Sequence, residues 1–321
     1  MCPAPLDSPP TRATAPARIG DRPETPDPDG APGLVAAPGR IRTLVARRPL
    51  TVFFALAIAL PWICAPIADA IFYSGLPTLL GIALALPFEI LVASPLAAAL
   101  ILTALGGGRK AVLALLAGFR HWRVGWRWYA VALTLPPALA LLPAYLNVLW
   151  GAPPPSTALS GSATALLGVL ALRLVNPWDG PISEELGWRG FALPRLQKRY
   201  STLTANLILA AFVMTWHLRL VANGSLPLVA LIGTLAATIL FGWLFNSTSG
   251  SLFLVYLFHA TDGVLQPHYA AVDSTRYLWL KVAIWAVAAI GVVLLSGRTL
   301  TGLHPRPVRT EIGKPAAIRW R

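Results

Sequence analysis

The feature that most constrains this chain is a series of long apolar runs separated by short basic segments. Of the 321 residues, 56% are hydrophobic and only 12% are charged, which is about half the charged share of an ordinary soluble domain. An apolar run of roughly 20 residues can cross a bilayer as an α-helix. Eight runs are candidates: residues 50–70, 78–106, 128–149, 163–194, 203–221, 226–246, 250–265 and 277–296. The sequence therefore predicts an all-α polytopic membrane protein with about eight transmembrane helices.

The positions of the basic residues predict how these helices are oriented. Of the 26 lysines and arginines, 21 fall in four segments, at residues 1–48, 109–127, 195–199 and 298–321. With eight spans all four segments lie on one side, and the positive-inside rule makes that side cytoplasmic. Both termini are then cytoplasmic, in a multi-pass protein of the cell membrane. Arg219 and Arg276 are the basic residues expected on the outer side.

Composition divides the chain into three parts. Residues 1–46 are rich in Pro, Ala, Gly and Arg and lack apolar periodicity, which predicts a disordered cytoplasmic tail. Residues 47–297 form the predicted eight-helix membrane domain, and residues 298–321 form a basic cytoplasmic tail. Oligomeric state leaves no signature in these patterns.

Charge and cysteine content exclude several kinds of partner and site. The formal net charge is +13, but the basic residues lie between apolar runs, which indicates attraction to anionic membrane lipids rather than to nucleic acid. The two cysteines, Cys2 and Cys64, cannot by themselves form a disulfide framework or a thiolate metal site.

The fourth apolar run carries the most unusual residues. It is broken at residues 176–181 and then contains two carboxylates and a guanidinium, Glu184, Glu185 and Arg189. Ionisable groups inside a bilayer are costly and therefore suggest a functional site. Glu185 and Arg189 are four residues apart and can pair on one helix face. Glu184 lies about 100° around the helix and needs a different partner.

Two histidines lie inside other apolar runs and are candidate partners for Glu184. At about 1.5 Å per helical residue, Glu184, His217 and His259 lie about 16, 21 and 13 Å from the cytoplasmic end of their spans. These depths overlap within the uncertainty of helix ends. The sequence therefore predicts one buried polar site built from three helices, with Asp262 one turn after His259.

Such a site has hydrolytic chemistry available. A carboxylate can act as a general base towards water, and two imidazoles can either bind zinc or hydrogen-bond to a tetrahedral oxyanion. Glu184, His217 and His259 are thus candidate zinc ligands, although their spacing does not require a metal. Structural roles are the alternative for each residue. The histidines could form hydrogen bonds between helices, the Glu185–Arg189 ion pair could serve stability alone, and Asp262 could face water. Arg173 and Asp179, which flank the break, are interpreted as neutralising each other.

At this point the motifs resemble those of a known family. Glu184-Glu185-x-x-x-Arg189 resembles the first motif of the CAAX prenyl protease type II-like family, the CPBP group of intramembrane proteases, which includes bacterial Abi and bacteriocin-immunity proteins. Trp216-His217 resembles the second motif. The run from Asn246 through Leu252 to His259 resembles the third. The resemblance covers roughly residues 120–295.

The resemblance implies a fold and a set of roles. It implies an eight-helix membrane domain whose cavity opens to the cytoplasm and the lipid, and a membrane-bound protein or peptide as substrate. Glu184 would be the base that activates water, and His217 and His259 would be catalytic or metal-ligating. Glu185 and Arg189 would support them. Zinc is a cofactor that the resemblance allows without requiring it.

The sequence departs from the family pattern in three places. The family has Asn four residues after the last histidine, where this chain has Gly263, and Asp262 is the nearest polar substitute. Val213 stands where the family has Phe, and Arg219 stands where a Pro often follows. The expected function is intramembrane endopeptidase. The alternatives are a non-catalytic membrane protein of the same fold, acting as an immunity or scaffold partner, and a proton-coupled transporter.

Overall fold

The computed structural model describes residues 39–154, 163–176, 180–265 and 275–301, and within these ranges it contains helices and no strand. We number the α-helices in chain order: α1 Arg40–Arg47, α2 Pro49–Phe72, α3 Thr78–Val92, α4 Ser94–Leu116, α5 Trp126–Leu149, α6 Ala163–Val175, α7 Gly180–Glu185, α8 Leu193–Gln197, α9 Thr202–Ala222, α10 Ala230–Ser247, α11 Leu252–Asp262 and α12 Thr275–Ser296. A π-helix, Leu186–Ala192, joins α7 to α8.

Six helices are long and apolar enough to cross a membrane: α2, α4, α5, α9, α10 and α12. Thr78–Pro87 and Leu252–Asp262 are shorter apolar helices. Large side chains on α12, such as Leu294 and Leu295, are exposed, as lipid-facing side chains are. The predicted all-α, polytopic membrane architecture is confirmed. The count of eight spans and the cytoplasmic position of the termini stay predictions.

The predicted second span, residues 78–106, is wrong as a single helix. The structure has two helices there, because Ala93 leaves the helical conformation with ψ 44° and Pro95 begins the next helix. A proline lacks the N–H that a helix interior needs but fits the first turn. α4 then runs on to Leu116, past the predicted end, with a kink at Gly108, where φ is 61°.

The predicted end of the N-terminal tail is also wrong. Residues 40–46, expected to be disordered, belong to helix α1, whose Val45 is buried. Val45 is the buried apolar residue of this short helix, and the Pro-rich composition of the whole tail did not predict it. Residues 1–38 and the predicted tail beyond 301 lie outside the described residues.

At the predicted break in the fourth run, α6 ends at Val175 and α7 begins at Gly180, so the predicted break extends too far at residues 180 and 181, while residues 177–179 lie outside the described residues. The π-helix follows directly after Glu185, and such segments are frequent at functional sites. It approaches α4 closely at Gly187, where a Cβ atom would lie 2.5 Å from both Cβ and the carbonyl oxygen of Pro95. Only a glycine fits at this helix contact.

The helix that carries His217 is fixed by the tryptophan before it. Trp216 Nε1 donates a hydrogen bond to Ser94 Oγ (2.9 Å), and Ser94 Oγ donates to the carbonyl oxygen of Ala57 (2.7 Å). This relay connects α9 to α4 and α2. The tryptophan of the second motif therefore holds α9 in place beside the histidine.

The third motif forms the turn between α10 and α11. Gly250 has φ +86°, a conformation that favours glycine. Ser251 caps α11 by accepting a hydrogen bond from the N–H of Leu254, and its hydroxyl donates to the carbonyl oxygen of His121. A serine in this position satisfies a backbone donor at the helix start. The motif thus sets where α11, and with it His259, begins.

The two arginines expected on the outer side are partnered by other helices. Arg219 Nη2 lies 3.9 Å from Asp69 Oδ2 of α2. Arg276 Nε donates to Asn147 Oδ1 of α5 (2.7 Å). Local partners thus account for both exceptions in the basic-residue pattern.

The Gly187 contact predicts a stability loss. Gly187→Ala should lower the free energy of unfolding by about 1–3 kcal/mol, because the added methyl group meets backbone atoms of Pro95. Gly291→Ala in α12 is the matched control, since a Cβ there meets nothing within 4 Å. Unfolding of both variants in one detergent measures the difference, and equal stability would contradict the close contact.

Candidate functional site

The helices after the break enclose a cavity of about 580 Å³. Its lining comes from α7, the π-helix, α9, α10, α11 and α12, together with the loop between α9 and α10 and with Arg173 of α6. The charged and imidazole side chains that line it are Arg173, Glu184, Arg189, His217, His259, Asp262 and Lys281. Glu184, His217 and His259, which were predicted to lie at similar depths, therefore line one cavity.

Glu185 lies behind the cavity and connects two other site residues. Its Oε1 accepts a hydrogen bond from Arg189 Nη1 (3.0 Å) and another from His259 Nδ1 (2.7 Å). Glu185 is fully buried and Arg189 is 1% exposed. Arg189 also lies over the ring of Phe241, 4.7 Å from its centroid, a favourable cation–π arrangement. The predicted Glu185–Arg189 pair is confirmed, and its contact with His259 is additional.

Glu184 faces the cavity instead of that pair. Gly180, one turn earlier, leaves the space beside it open: a Cβ there would lie 2.8 Å from Glu184 Oε1 and 3.0 Å from His259 Nε2. Both atoms therefore approach the same point from two helices. A carboxylate oxygen and an imidazole nitrogen that face a common space can contact one small molecule, such as water.

Both histidines use Nδ1 to fix the ring. His217 Nδ1 lies 2.9 Å from the carbonyl oxygen of Val213, and His259 Nδ1 lies 2.7 Å from Glu185 Oε1. Each partner is an acceptor, so Nδ1 carries the proton in each ring. In the neutral ring Nε2 then has a free lone pair, and it can accept a hydrogen bond or bind a metal but cannot donate.

Asp262 and two residues without a predicted role complete the site. Asp262 is half-buried, and its Oδ1 makes no hydrogen bond within the described part of the chain. Lys281 lines the cavity from α12, and a lysine inside an apolar run was the signal that could have identified it. Gly180 gave no such signal, because its role depends on how α7 and α11 meet. Asp179 lies outside the described residues.

The donor set is of a kind that zinc accepts, since imidazole nitrogens and a carboxylate line the cavity. Zinc requires its ligands at about 2.0–2.2 Å from one point. Across the residues that the structure describes, no group of three His, Cys, Asp or Glu side chains is close enough to hold a metal ion. The predicted ligand set of Glu184, His217 and His259 does not fit an ion in this arrangement.

Comparison with known proteins shows what this part of the chain is similar to. Residues 165–265, which contain the motif residues Glu184, His217 and His259, match the family model described as type II CAAX prenyl endopeptidase Rce1-like. The resemblance to type II CAAX prenyl endopeptidases is confirmed. A relative named CAAX prenyl protease 2, from Methanococcus maripaludis, is 29% identical over 175 residues. That alignment covers 50% of this chain and 63% of the relative.

The matched region runs from α6 to the end of α11, so it contains Glu184, His217 and His259, while the part of the cavity lining that comes from α12 lies beyond it. It is shorter than the predicted family-like core of residues 120–295, and that wider boundary stays a prediction. The chain spans less than two thirds of the relative's length.

The two neighbouring glutamates should respond differently to the same substitution. Glu185→Gln removes the charge that Arg189 faces in a fully buried environment, which typically costs about 3–5 kcal/mol of stability. Glu184→Gln should cost much less, because Glu184 faces the cavity and not a buried cation. Unfolding of both variants in detergent compares them, and equal losses would contradict the assignment of Glu185 as the buried ion-pair partner.

Proposed function

We propose that this protein is an intramembrane endopeptidase, which hydrolyses a peptide bond in a membrane-associated or lipidated protein or peptide. The observation that carries the proposal is the cavity in which Glu184 Oε1 and His259 Nε2 face one space, with His217 on the same lining. The match to a CAAX prenyl endopeptidase model supports it. The cell membrane is the proposed location.

In the proposed reaction Glu184 is the general base. It takes a proton from a water molecule as the water oxygen bonds to the carbonyl carbon of the substrate, and the carbonyl π electrons move onto the carbonyl oxygen. The tetrahedral oxyanion then collapses, the C–N bond breaks, and the amine leaves with the proton that Glu184 carried. The products are one carboxylate and one amine, so water is the only co-reactant.

The histidines orient the water in this proposal. In a neutral imidazole whose Nδ1–H donates a hydrogen bond, Nε2 carries a lone pair and can accept one. His217 and His259 both have this arrangement. The attacking water donates one O–H to Glu184, and it can donate the other to Nε2 of His217 or of His259, which turns an oxygen lone pair towards the carbonyl carbon. Glu185 and Arg189 act indirectly, by holding His259 in this orientation.

The cavity favours a short extended peptide segment as the group that is cleaved. Its volume of about 580 Å³ lies in the range of ordinary small-ligand sites, which is too small for a folded domain. A substrate must therefore present a flexible segment at the membrane. The name of the archaeal relative suggests a prenylated C-terminal segment as one member of this class.

One observation favours a second candidate, a non-catalytic membrane protein of the same fold. The chain has Gly263 where the family has an amide side chain, so a group expected at the active site is missing. This candidate predicts that a Glu184→Gln variant keeps the biological function of the wild type.

The central test is cleavage of membrane-tethered reporter peptides by purified protein. Glu184→Gln should lower the rate at least about 10³-fold, because the base is lost while the side chain keeps its size. Wild-type activity should survive phenanthroline, because no three His, Cys, Asp or Glu side chains among the described residues converge on one point. Rapid cleavage by Glu184→Gln would contradict the role of Glu184, and loss of activity with the chelator would show that a metal takes part.

Gly180 gives a second prediction. Gly180→Ala should lower kcat about 10²-fold with little loss of stability, because the methyl group pushes Glu184 and His259 apart and a shift of about 1 Å can have that effect. Gly168→Ala in α6 is the control, since a Cβ there meets nothing within 4 Å. Equal kcat values for the two variants would contradict the shared space beside Gly180.

A further inference from the structure

The proposed hydrolysis lacks a hydrogen-bond donor for the oxyanion. Removing one such donor from a hydrolase typically costs about 10²–10³-fold in rate. His217 and His259 offer lone pairs at Nε2 while their rings are neutral, and an ionised Asp262 carboxylate only accepts. Gly263 has no side chain. The donor must therefore come from another residue on the cavity lining.

Arg173 is a cavity cation with a defined orientation that, unlike Arg189, does not pair with Glu185. It reaches from α6 to α11, where its Nε donates to the carbonyl oxygen of Ala260 (2.9 Å) and its Nη2 makes a longer contact of 3.5 Å with that of His259. The guanidinium is thus held against the turn of backbone that carries His259. A planar guanidinium fixed in this way presents its N–H groups in known directions.

Gly263 is what allows the guanidinium to lie there. A Cβ at residue 263 would lie 1.9 Å from Arg173 Cζ and 2.3 Å from both Nε and Nη1. These distances are shorter than any non-bonded contact, so the guanidinium fills the place where a side chain at 263 would begin. Gly263 has φ −81°, so its backbone conformation does not require glycine. Glycine is required there because the Arg173 guanidinium occupies the space that a side chain would need.

We propose that the Arg173 guanidinium donates the hydrogen bond that stabilises the oxyanion, from the space that Gly263 leaves open. This inference rests on the proposed endopeptidase function and names one further catalytic residue for it. The role does not depend on an unoccupied N–H, because a developing oxyanion competes for a charged donor whatever that donor contacts before substrate binds.

Lys281 is the other cation on the lining that is not engaged with Glu185. In the described parts of the chain nothing fixes its ammonium group by a hydrogen bond or an ion pair, and its four-carbon stem is flexible. Oxyanion stabilisation depends on donors that are already in place before the reaction. The geometry therefore favours Arg173 over Lys281.

The test is a double-mutant cycle at residues 173 and 263, in the full-length protein with the reporter peptides. Arg173→Ala should lower kcat about 10²-fold and leave KM within about threefold. Gly263→Asn should also lower kcat, because the new side chain displaces the guanidinium. Adding Gly263→Asn to Arg173→Ala should instead raise kcat at least about tenfold over Arg173→Ala, because an amide N–H then occupies the vacated space.

One further variant and one affinity measurement separate a donor from a structural contact. Arg276→Ala removes an arginine whose Nε also joins two helices but which does not line the cavity; kcat should stay within about threefold of the wild type. Affinity for a peptide phosphonate, which mimics the tetrahedral oxyanion, should fall in Arg173→Ala by the same factor as kcat/KM. A merely structural arginine would not produce that match.

The outcomes distinguish this inference from the function on which it rests. If the wild type cleaves and Glu184→Gln does not, but Arg173→Ala keeps its kcat or Lys281→Ala loses more, the role of Arg173 is wrong and the endopeptidase stands. Additive effects at 173 and 263 would also overturn it. If the wild type cleaves no reporter, or Glu184→Gln cleaves at the wild-type rate, the proposed function fails and this inference fails with it.

Discussion

The geometry of the site depends on one buried carboxylate. Glu185 Oε1 accepts hydrogen bonds from Arg189 and from His259, so a single oxygen joins the π-helix to α11. All three groups lie inside a membrane domain, where an unpaired charge would be very costly. This pairing fixes the His259 ring with Nδ1 protonated and turns Nε2 towards the cavity. Glu184, the adjacent residue, is left to face the cavity itself.

Close packing supports this arrangement from behind. Phe53 of α2 contacts two aromatic residues of the π-helix, Trp188 and Phe191, with ring centroids 5.5 and 4.9 Å apart. On the other side Gly187 lets the π-helix approach Pro95 of α4. The π-helix is therefore held from two directions. In a bilayer, helix association depends on such van der Waals contacts and interhelical hydrogen bonds rather than on the hydrophobic effect.

Much of the site was predictable because it depends on local spacing. The four-residue interval between Glu185 and Arg189 predicted their ion pair. The estimated depths along each span predicted that Glu184, His217 and His259 lie at a similar level in the membrane. Features that depend on helices distant in sequence were not predictable. The space beside Gly180 exists only because α7 meets α11, and the fit between Arg173 and Gly263 joins residues 90 positions apart. Apolar composition likewise could not reveal that residues 78–106 divide at Ala93, since the apolar run continues on both sides of this residue.

Departures from the family pattern are best understood together with the side chains around them. Gly263 in isolation suggests a lost function, and for that reason a non-catalytic protein was an alternative. The structure shows that a guanidinium fills the corresponding space. The relay from Trp216 through Ser94 similarly explains a motif residue by packing, so a motif can combine residues for chemistry with residues that only position helices.

The most direct measurement is a single turnover of reporter cleavage in water enriched in oxygen-18, followed by mass spectrometry of the new product carboxylate and of the enzyme peptide that contains Glu184 and Glu185. If Glu184 activates water, one heavy oxygen enters the product carboxylate and none enters the enzyme. Heavy oxygen in Glu184, with an unlabelled product in the first turnover, would mean that the carboxylate attacks the substrate directly and would contradict the account.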